Sequence, residues 1–115
     1  MKKLDIVGEY LTHEKGHAYV WSNSDNWIKP AEESDAPELT SKEVDEIYKV
    51  ALVWITWRTI RLERDALLKK TDWTQVPDAP VDQEAWKSYR QALRDITKQS
   101  DPFNIEWPVA PDQGA

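Results

Sequence analysis

The sequence predicts a mainly α protein of the α+β class, in which a long helix is followed by a shorter antiparallel helix. Three observations support this: a helix start signal at Thr40, the absence of proline and glycine from there to Pro77, and an apolar stripe over residues 86–96. We therefore divide the chain into an N-terminal β-hairpin with a polar arm, residues 1–40, and a helical hairpin with an extended tail, residues 41–115.

Composition excludes several classes of protein. The 115 residues suffice for one domain, and their 15 Lys and Arg against 21 Asp and Glu give a net charge of −6, which disfavours nucleic-acid binding. The absence of cysteine excludes disulfides, thiolate metal sites and a cysteine nucleophile. No apolar run approaches the roughly 18 residues that span a bilayer, and no signal-peptide pattern opens the chain. We expect a soluble protein, made in a cytoplasm, without membrane contact.

The aromatic residues are unusual, since 7 Trp and 4 Tyr accompany a single Phe. Trp and Tyr combine a large apolar area with a polar tip, which suits surfaces that become buried in a complex. They equally suit the core of a small domain, and composition alone leaves both interpretations open.

The N-terminal region is interpreted as strands followed by an arm. Residues 4–21 are rich in β-branched and aromatic residues around a turn with Gly16, which favours a β-hairpin. Residues 22–39 are polar and contain Pro30 and Pro37, which predicts a loop or an arm that becomes ordered on a partner.

The long helix is predicted over about residues 41–70. Thr40 and Glu43 form a capping box at its start, and helix-forming residues dominate 58–70. Seven of the eight residues 50–57 are apolar, and a helix that is apolar on all sides must be covered. The alternative is a buried strand over 50–57, because β-branched residues and Trp also favour strands. The capping box favours the helix.

The apolar stretch also predicts an oligomer or a hetero-complex, because so small a chain cannot cover it alone. The arginines next to it, Arg58, Arg61 and Arg64, allow stacking on single-stranded nucleic acid. The alternative, which the acidic total favours, is i,i+3 and i,i+4 ion pairs with Glu63 and Asp65 together with stacking of the guanidinium groups on indole rings. The candidate partner-binding residues are Val50, Val53, Trp54, Trp57, Arg58 and Arg61.

A second helix is predicted over about residues 83–98. Asp82 is its cap, and Val81 with Trp86 forms a hydrophobic staple. The helix places an apolar stripe on one side, formed by Trp86, Tyr89, Leu93 and Ile96, and basic residues on its flanks and back, namely Lys87, Arg90, Arg94 and Lys98.

One string matches a metal motif. Residues 13–17 read HEKGH, the zinc-protease pattern, whose chemistry needs two histidines one turn apart on a helix. Gly8 and Gly16 would lie inside that helix, the flanking residues favour strands, and the chain has only 2 His. We therefore expect no metal, no cofactor and no catalytic residues.

The C-terminal half resembles a known family. Its strings are RD-x-LL at 64–68, TDWTQ at 71–75, W-x-x-YRQALRDI at 86–96 and WP-x-x-P at 107–111. In this order they resemble the C-terminal segment of tailed-bacteriophage tail assembly chaperones and tail-fibre assembly proteins, over about residues 58–111. The resemblance does not extend to residues 1–57, whose role stays unassigned.

The resemblance implies a phage protein without enzymatic activity that binds a tail or tail-fibre polypeptide. It implies action in the host cytoplasm, and leaves open whether the protein is a chaperone or stays in the virion tail. The alternative is a small phage protein that binds nucleic acid or a host factor through the Trp and Arg residues of the long helix, and a metalloenzyme ranks third. Within the resembling segment, one aromatic cluster is expected to lock the two helices, formed by Trp73, Trp86, Tyr89, Leu93 and Trp107.

Overall fold

The computed structural model describes residues 1–112, so the end of the predicted tail, residues 113–115, lies outside the described residues. The chain forms two compact units, the first spanning Met1–Ile55 and the second beginning at Thr56. The elements are α1 (Lys3–His13), β1 (Tyr19–Ser22), β2 (Trp27–Pro30), α2 (Ser41–Thr71), a 3-10 helix (Asp72–Gln75), α3 (Gln83–Arg94) and a second 3-10 helix (Ile96–Lys98). The predicted class is confirmed: a mainly helical protein with a small N-terminal β-hairpin, a long helix and a further helix.

The first element corrects the sequence analysis, because α1 replaces the strand expected in its place. The helix buries residues at the spacing of one helix face, namely Leu4, Val7, Gly8 and Leu11. Gly8 is tolerated because the backbone lies against the ring of Trp21: a Cβ at this position would lie 2.3 Å from Trp21 Cζ3. The glycine that argued against a helix is therefore a packing residue within one.

The β-hairpin exists, but it lies later in the chain than predicted. Strands β1 and β2 are antiparallel, with Tyr19 opposite Pro30 at one end and Ser22 opposite Trp27 at the other. The second strand thus occupies part of the region interpreted as a polar arm. Gly16, expected to turn the hairpin, has a φ of 68° and lies in the connection from α1 to β1.

The core of the first unit consists of Leu4, Val7, Leu11, Tyr19 and Val44. The segment after β2 packs Ala36 and Leu39 against it, and the Tyr19 hydroxyl donates to the Pro37 carbonyl oxygen at 2.6 Å. These contacts place this part of the arm against the core of its own unit.

Helix α2 begins at the predicted capping box. The Glu43 amide donates to Thr40 Oγ1 at 3.1 Å, and the Thr40 amide donates to Glu43 Oε1 at 3.0 Å. Hydrogen bonds to the Glu43 carboxylate from the Thr40 amide and from the Thr40 side chain lower the pKa of Glu43, since they favour its charged form. The helix is continuous over residues 50–57, so the alternative of a strand there is wrong.

Helix α3 is capped as predicted, since Asp82 Oδ1 accepts from the Ala85 amide at 3.2 Å. Its stripe is buried at Trp86, Tyr89, Leu93 and Ile96, and Leu67 and Leu68 of α2 pack against the first three. Val81 joins the same cluster, as the staple predicts. The antiparallel course of the two helices stays a prediction.

Two details of α3 correct the sequence analysis. The α-helix ends at Arg94, and the remaining residues of the predicted helix include a 3-10 turn over Ile96–Lys98. Arg90, expected on the flank or back of the helix, is buried.

Candidate partner-binding surfaces

In the first unit, α2 is only partly covered around its apolar stretch. Ala51 is fully buried, whereas Val50 is 55% exposed and Val53 is 40% exposed. The helix therefore has one covered face and one apolar face in contact with solvent. Of the predicted partner-binding residues in this unit, the two valines are the most accessible, because Trp54 is half-buried.

Trp54 is held by the C-terminal end of α1. Its indole Nε1 donates to Glu14 Oε1 at 2.8 Å, and its ring lies 5.8 Å from Tyr10 in an edge-on arrangement. The His13 ring stacks on it at 6.3 Å. This indole already has polar and aromatic partners within its own unit, so it contributes to the fold of the first unit as well as to its surface.

A groove of about 440 Å³ lies next to Val50. Its lining is mainly apolar and comes from α1, β1, the arm and α2, with Leu11, Tyr19, Leu39 and Ile47 among its residues. Lys15, His17 and Glu46 also line it. A groove of this composition suits apolar side chains of a protein partner.

The remaining predicted residues lie on α2 within the second unit. Trp57 and Arg58 are half-buried, and Arg61 is exposed next to Leu62, which is also exposed. Arg64 Nε donates to Asp65 Oδ1 at 2.9 Å. This ion pair joins adjacent residues, so it differs from the i,i+3 and i,i+4 pairs expected for these arginines.

The HEKGH string has no helical geometry across its two histidines. Helix α1 ends at His13, Glu14 is its C-cap, and Gly16 has a positive φ, so His17 does not lie one turn beyond His13 on a helix. Among residues 1–112, no group of three or more His, Cys, Asp or Glu residues is placed to hold a metal ion. The same described residues contain no helix that is both long and apolar enough to span a bilayer.

The second unit contains a buried side chain that sequence reasoning missed. Arg90 Nη1 donates to the Leu68 carbonyl oxygen at 2.6 Å and to Thr71 Oγ1 at 2.8 Å, and Nη2 donates to Asp72 Oδ1 at 2.6 Å. The last carbonyl groups of a helix lack partners within the helix. Arg90 therefore supplies donors to the end of α2 and fixes the turn that follows.

The TDWTQ string forms the turn itself. Thr71 Oγ1 donates to the Leu67 carbonyl oxygen at 2.7 Å, and the fully buried Thr74 donates through Oγ1 to the Thr71 carbonyl oxygen at 2.6 Å. Gln75 Nε2 donates to the Gln83 carbonyl oxygen at 3.3 Å, which links the turn to α3. A threonine at the end of a helix and an aspartate immediately after it, followed by an arginine inside the next helix, were the available signal for this arrangement.

The members of the predicted aromatic cluster are buried to different degrees. Trp86 and Tyr89 are buried with ring centroids 5.7 Å apart, and Leu93 is fully buried beside them. Trp107 is half-buried and packs against this group. Trp73 lies 6.5 Å from Trp86 but is 51% exposed, so it covers the edge of the cluster.

Comparison with known proteins gives a match within the second unit. No curated protein and no solved structure matches the chain. Residues 57–112 match the family model described as phage tail assembly chaperone protein, and the match includes α3, the TDWTQ turn and Arg90. It supports a role in phage tail assembly. The C-terminal half of this chain, residues 57–112, is therefore similar to the phage tail assembly chaperone family.

Proposed function

We propose that the protein is a non-enzymatic chaperone of phage tail assembly, which binds a tail or tail-fibre polypeptide and covers its apolar surface in the host cytoplasm. The family match over residues 57–112 carries this proposal. Covering apolar surface suppresses the self-association that exposed apolar patches promote.

The two units have different roles in this proposal. In the second unit, the buried polar side chains of Arg90, Thr71 and Thr74 are bonded within the unit, which suits a scaffold. In the first unit, Val50 and Val53 leave apolar area uncovered beside a mainly apolar groove, which suits binding. Trp54 belongs to the proposed contact of the first unit. The second unit has its own proposed contact residues on α2, namely Trp57, Arg58 and Arg61.

Co-expression tests the proposal. Each tail and tail-fibre polypeptide of the same phage is expressed alone and with the full chain, and its soluble fraction is measured. We expect one of them to become soluble and to co-purify with the chain as an oligomer or hetero-complex. Unchanged solubility and absence of co-purification for all of them would contradict the proposal.

Analysis of purified phage particles distinguishes a chaperone that is released from a tail component that is retained. A chaperone that is released after assembly is absent from the particles, whereas a retained tail component is present at a fixed ratio to a tail protein. Quantitative immunoblotting of particles against a tail protein of known copy number measures that ratio. We expect the released form, because the matched family is one of assembly chaperones.

A further inference from the structure

A short loop in the second unit is closed by a single side chain. Gln99 Nε2 donates to the Glu106 carbonyl oxygen at 3.0 Å, and Gln99 Oε1 accepts from the Glu106 amide at 3.0 Å. One amide side chain thereby pairs with the backbone as a neighbouring strand would. The segment between these two residues is held as a loop of fixed ends.

Inside this loop the backbone around Phe103 is also fixed. Asp101 Oδ1 accepts from the Phe103 amide at 3.0 Å, and the Asp101 carbonyl oxygen accepts from the Asn104 amide at 3.2 Å. Pro102 restricts the turn further, since its ring fixes φ. Phe103, the only Phe in the chain, is nevertheless 58% exposed.

We propose that Phe103 is a second contact to the tail polypeptide and inserts into an apolar pocket with a basic edge on that partner. A large aromatic side chain on a preformed turn loses little conformational entropy on binding, and such residues dominate protein interfaces. This inference rests on the proposed function for the class of partner, but it uses a different surface from that of α2.

Charge identifies the edge of the partner's pocket. Residues 99–112 include Asp101, Glu106 and Asp112 and contain no Lys or Arg. Acidic residues on both sides of Phe103 complement Lys or Arg side chains, which increase the association rate and disfavour acidic partners. The surface of the tail polypeptide that receives Phe103 is therefore an apolar pocket surrounded by basic residues.

Equilibrium binding of the full chain to the tail polypeptide that it solubilises tests the inference. Phe103→Ala should weaken binding by about 30-fold, as expected for truncation of an aromatic interface residue. Gln99→Ala, which keeps Phe103 and opens the loop, should weaken it by about 3- to 10-fold. Val109→Ala is the matched control, since Val109 is exposed on the same segment outside the loop, and should change binding by less than about twofold.

The double variant Asp101→Asn with Glu106→Gln tests the charge. It keeps the side-chain oxygen that bonds the Phe103 amide and leaves the backbone bonds of residue 106 in place. It should weaken binding by about 3- to 10-fold at low salt and reduce the salt dependence. Unchanged binding at low salt would overturn the basic edge.

Three further outcomes are decisive. If the wild-type chain binds no tail polypeptide, the proposed function fails and this inference fails with it. If wild-type binding is retained in Phe103→Ala, with an unchanged circular-dichroism spectrum, only this inference is overturned. If Phe103→Ala abolishes self-association and leaves tail binding intact, the loop binds a second copy, and the assignment to the tail polypeptide is overturned.

Discussion

The guanidinium of Arg90 lies 2.6 Å from the carboxylate of Asp72 and joins α3 to the residue that follows α2. The Arg90 side chain is buried, whereas the Asp72 side chain is 64% exposed. The pair therefore consists of a buried cation whose partner is in contact with water. Since Arg90 also serves a helix carbonyl and a threonine hydroxyl, its removal affects more than the ion pair.

The first prediction concerns this pair. Arg90→Ala should lower the free energy of unfolding by about 3 kcal/mol, because it removes buried packing and the donors that Arg90 supplies to the Leu68 carbonyl and the Thr71 hydroxyl. Asp72→Asn should cost under about 1 kcal/mol, since water screens the exposed carboxylate. Arg94→Ala, on an exposed position of α3, is the control and should cost under about 0.5 kcal/mol. Equal losses for Arg90→Ala and Arg94→Ala in urea titrations would show that Arg90 is solvated.

The second prediction concerns the aromatic cluster. Trp86→Ala should destabilise the protein by about 3–5 kcal/mol, because the indole is buried against Tyr89 and the end of α2. Lys87→Ala, one position along and exposed, should cost under about 0.5 kcal/mol. Thermal and urea unfolding measure both variants, and small, equal effects would mean that the stripe of α3 faces solvent.

The third prediction concerns the close approach of α1 to Trp21. Ala is a better helix former than Gly, yet Gly8→Ala should destabilise the first unit by about 1–3 kcal/mol, because its Cβ overlaps the indole ring. Gly16→Ala provides the comparison: beyond its chain neighbours no heavy atom lies within 4 Å of its added Cβ, so its cost of about 1–2 kcal/mol comes from the positive φ.

Trp21→Ala distinguishes these two costs. Combined with Gly8→Ala it should remove the overlap, so the double variant should lose less stability than the sum of the two single variants. In combination with Gly16→Ala the losses should simply add. Additive losses in both pairs would contradict the packing of Trp21 on α1.

The sequence predicted those elements whose signals are local. The capping box of α2 and the cap, staple and apolar stripe of α3 each lie within a few residues, and the structure reproduces them. Helix α1 was missed because the β-branched and aromatic residues of this region favour strands and Gly8 lowers helix propensity. The contact that explains Gly8 comes from Trp21, which belongs to another element.

In the candidate surfaces too, contacts between distant parts of the sequence explain where the structure differs from the prediction. The apolar stretch of residues 50–57 pointed to the exposed valines. The partners of Trp54 lie about forty residues earlier in the chain, so no local signal indicated them. Arg90 was placed on the flank or back of α3 because its charge suggests solvent. Its burial depends on the carbonyl and hydroxyl acceptors at the end of α2, which no helical periodicity reveals.

The fourth prediction concerns acid stability. Trp21 Nε1 and Asn23 Nδ2 each donate to Asp5 Oδ1 at 2.9 Å, and these bonds hold the pKa of Asp5 below its usual value of 3.8. Because the folded-state pKa is the lower one, the stabilisation is fully present above the unfolded pKa and is lost as the pH falls through the folded value. The carboxylates of Glu43 and Asp95 have pKa values that are lowered in the same direction.

Unfolding measured as a function of pH tests this prediction. Stability of the wild-type chain should decrease below about pH 4, and Asp5→Asn should decrease less steeply there while being less stable at neutral pH. Glu38→Gln is the control, since Glu38 is exposed, and should leave the acid slope unchanged. An acid slope that is identical in Asp5→Asn and in the wild-type chain would contradict the role of Asp5.

The exposed apolar residues of α2 are proposed to bind the tail polypeptide, and equilibrium binding of the full chain measures this most directly. The double variant Val50→Ser with Val53→Ser should weaken binding by at least about 10-fold, because buried apolar contacts at an interface are lost. Lys42→Ala, exposed on the same helix near its start, should leave the affinity unchanged. A double variant that is folded and binds the tail polypeptide with wild-type affinity would contradict the account.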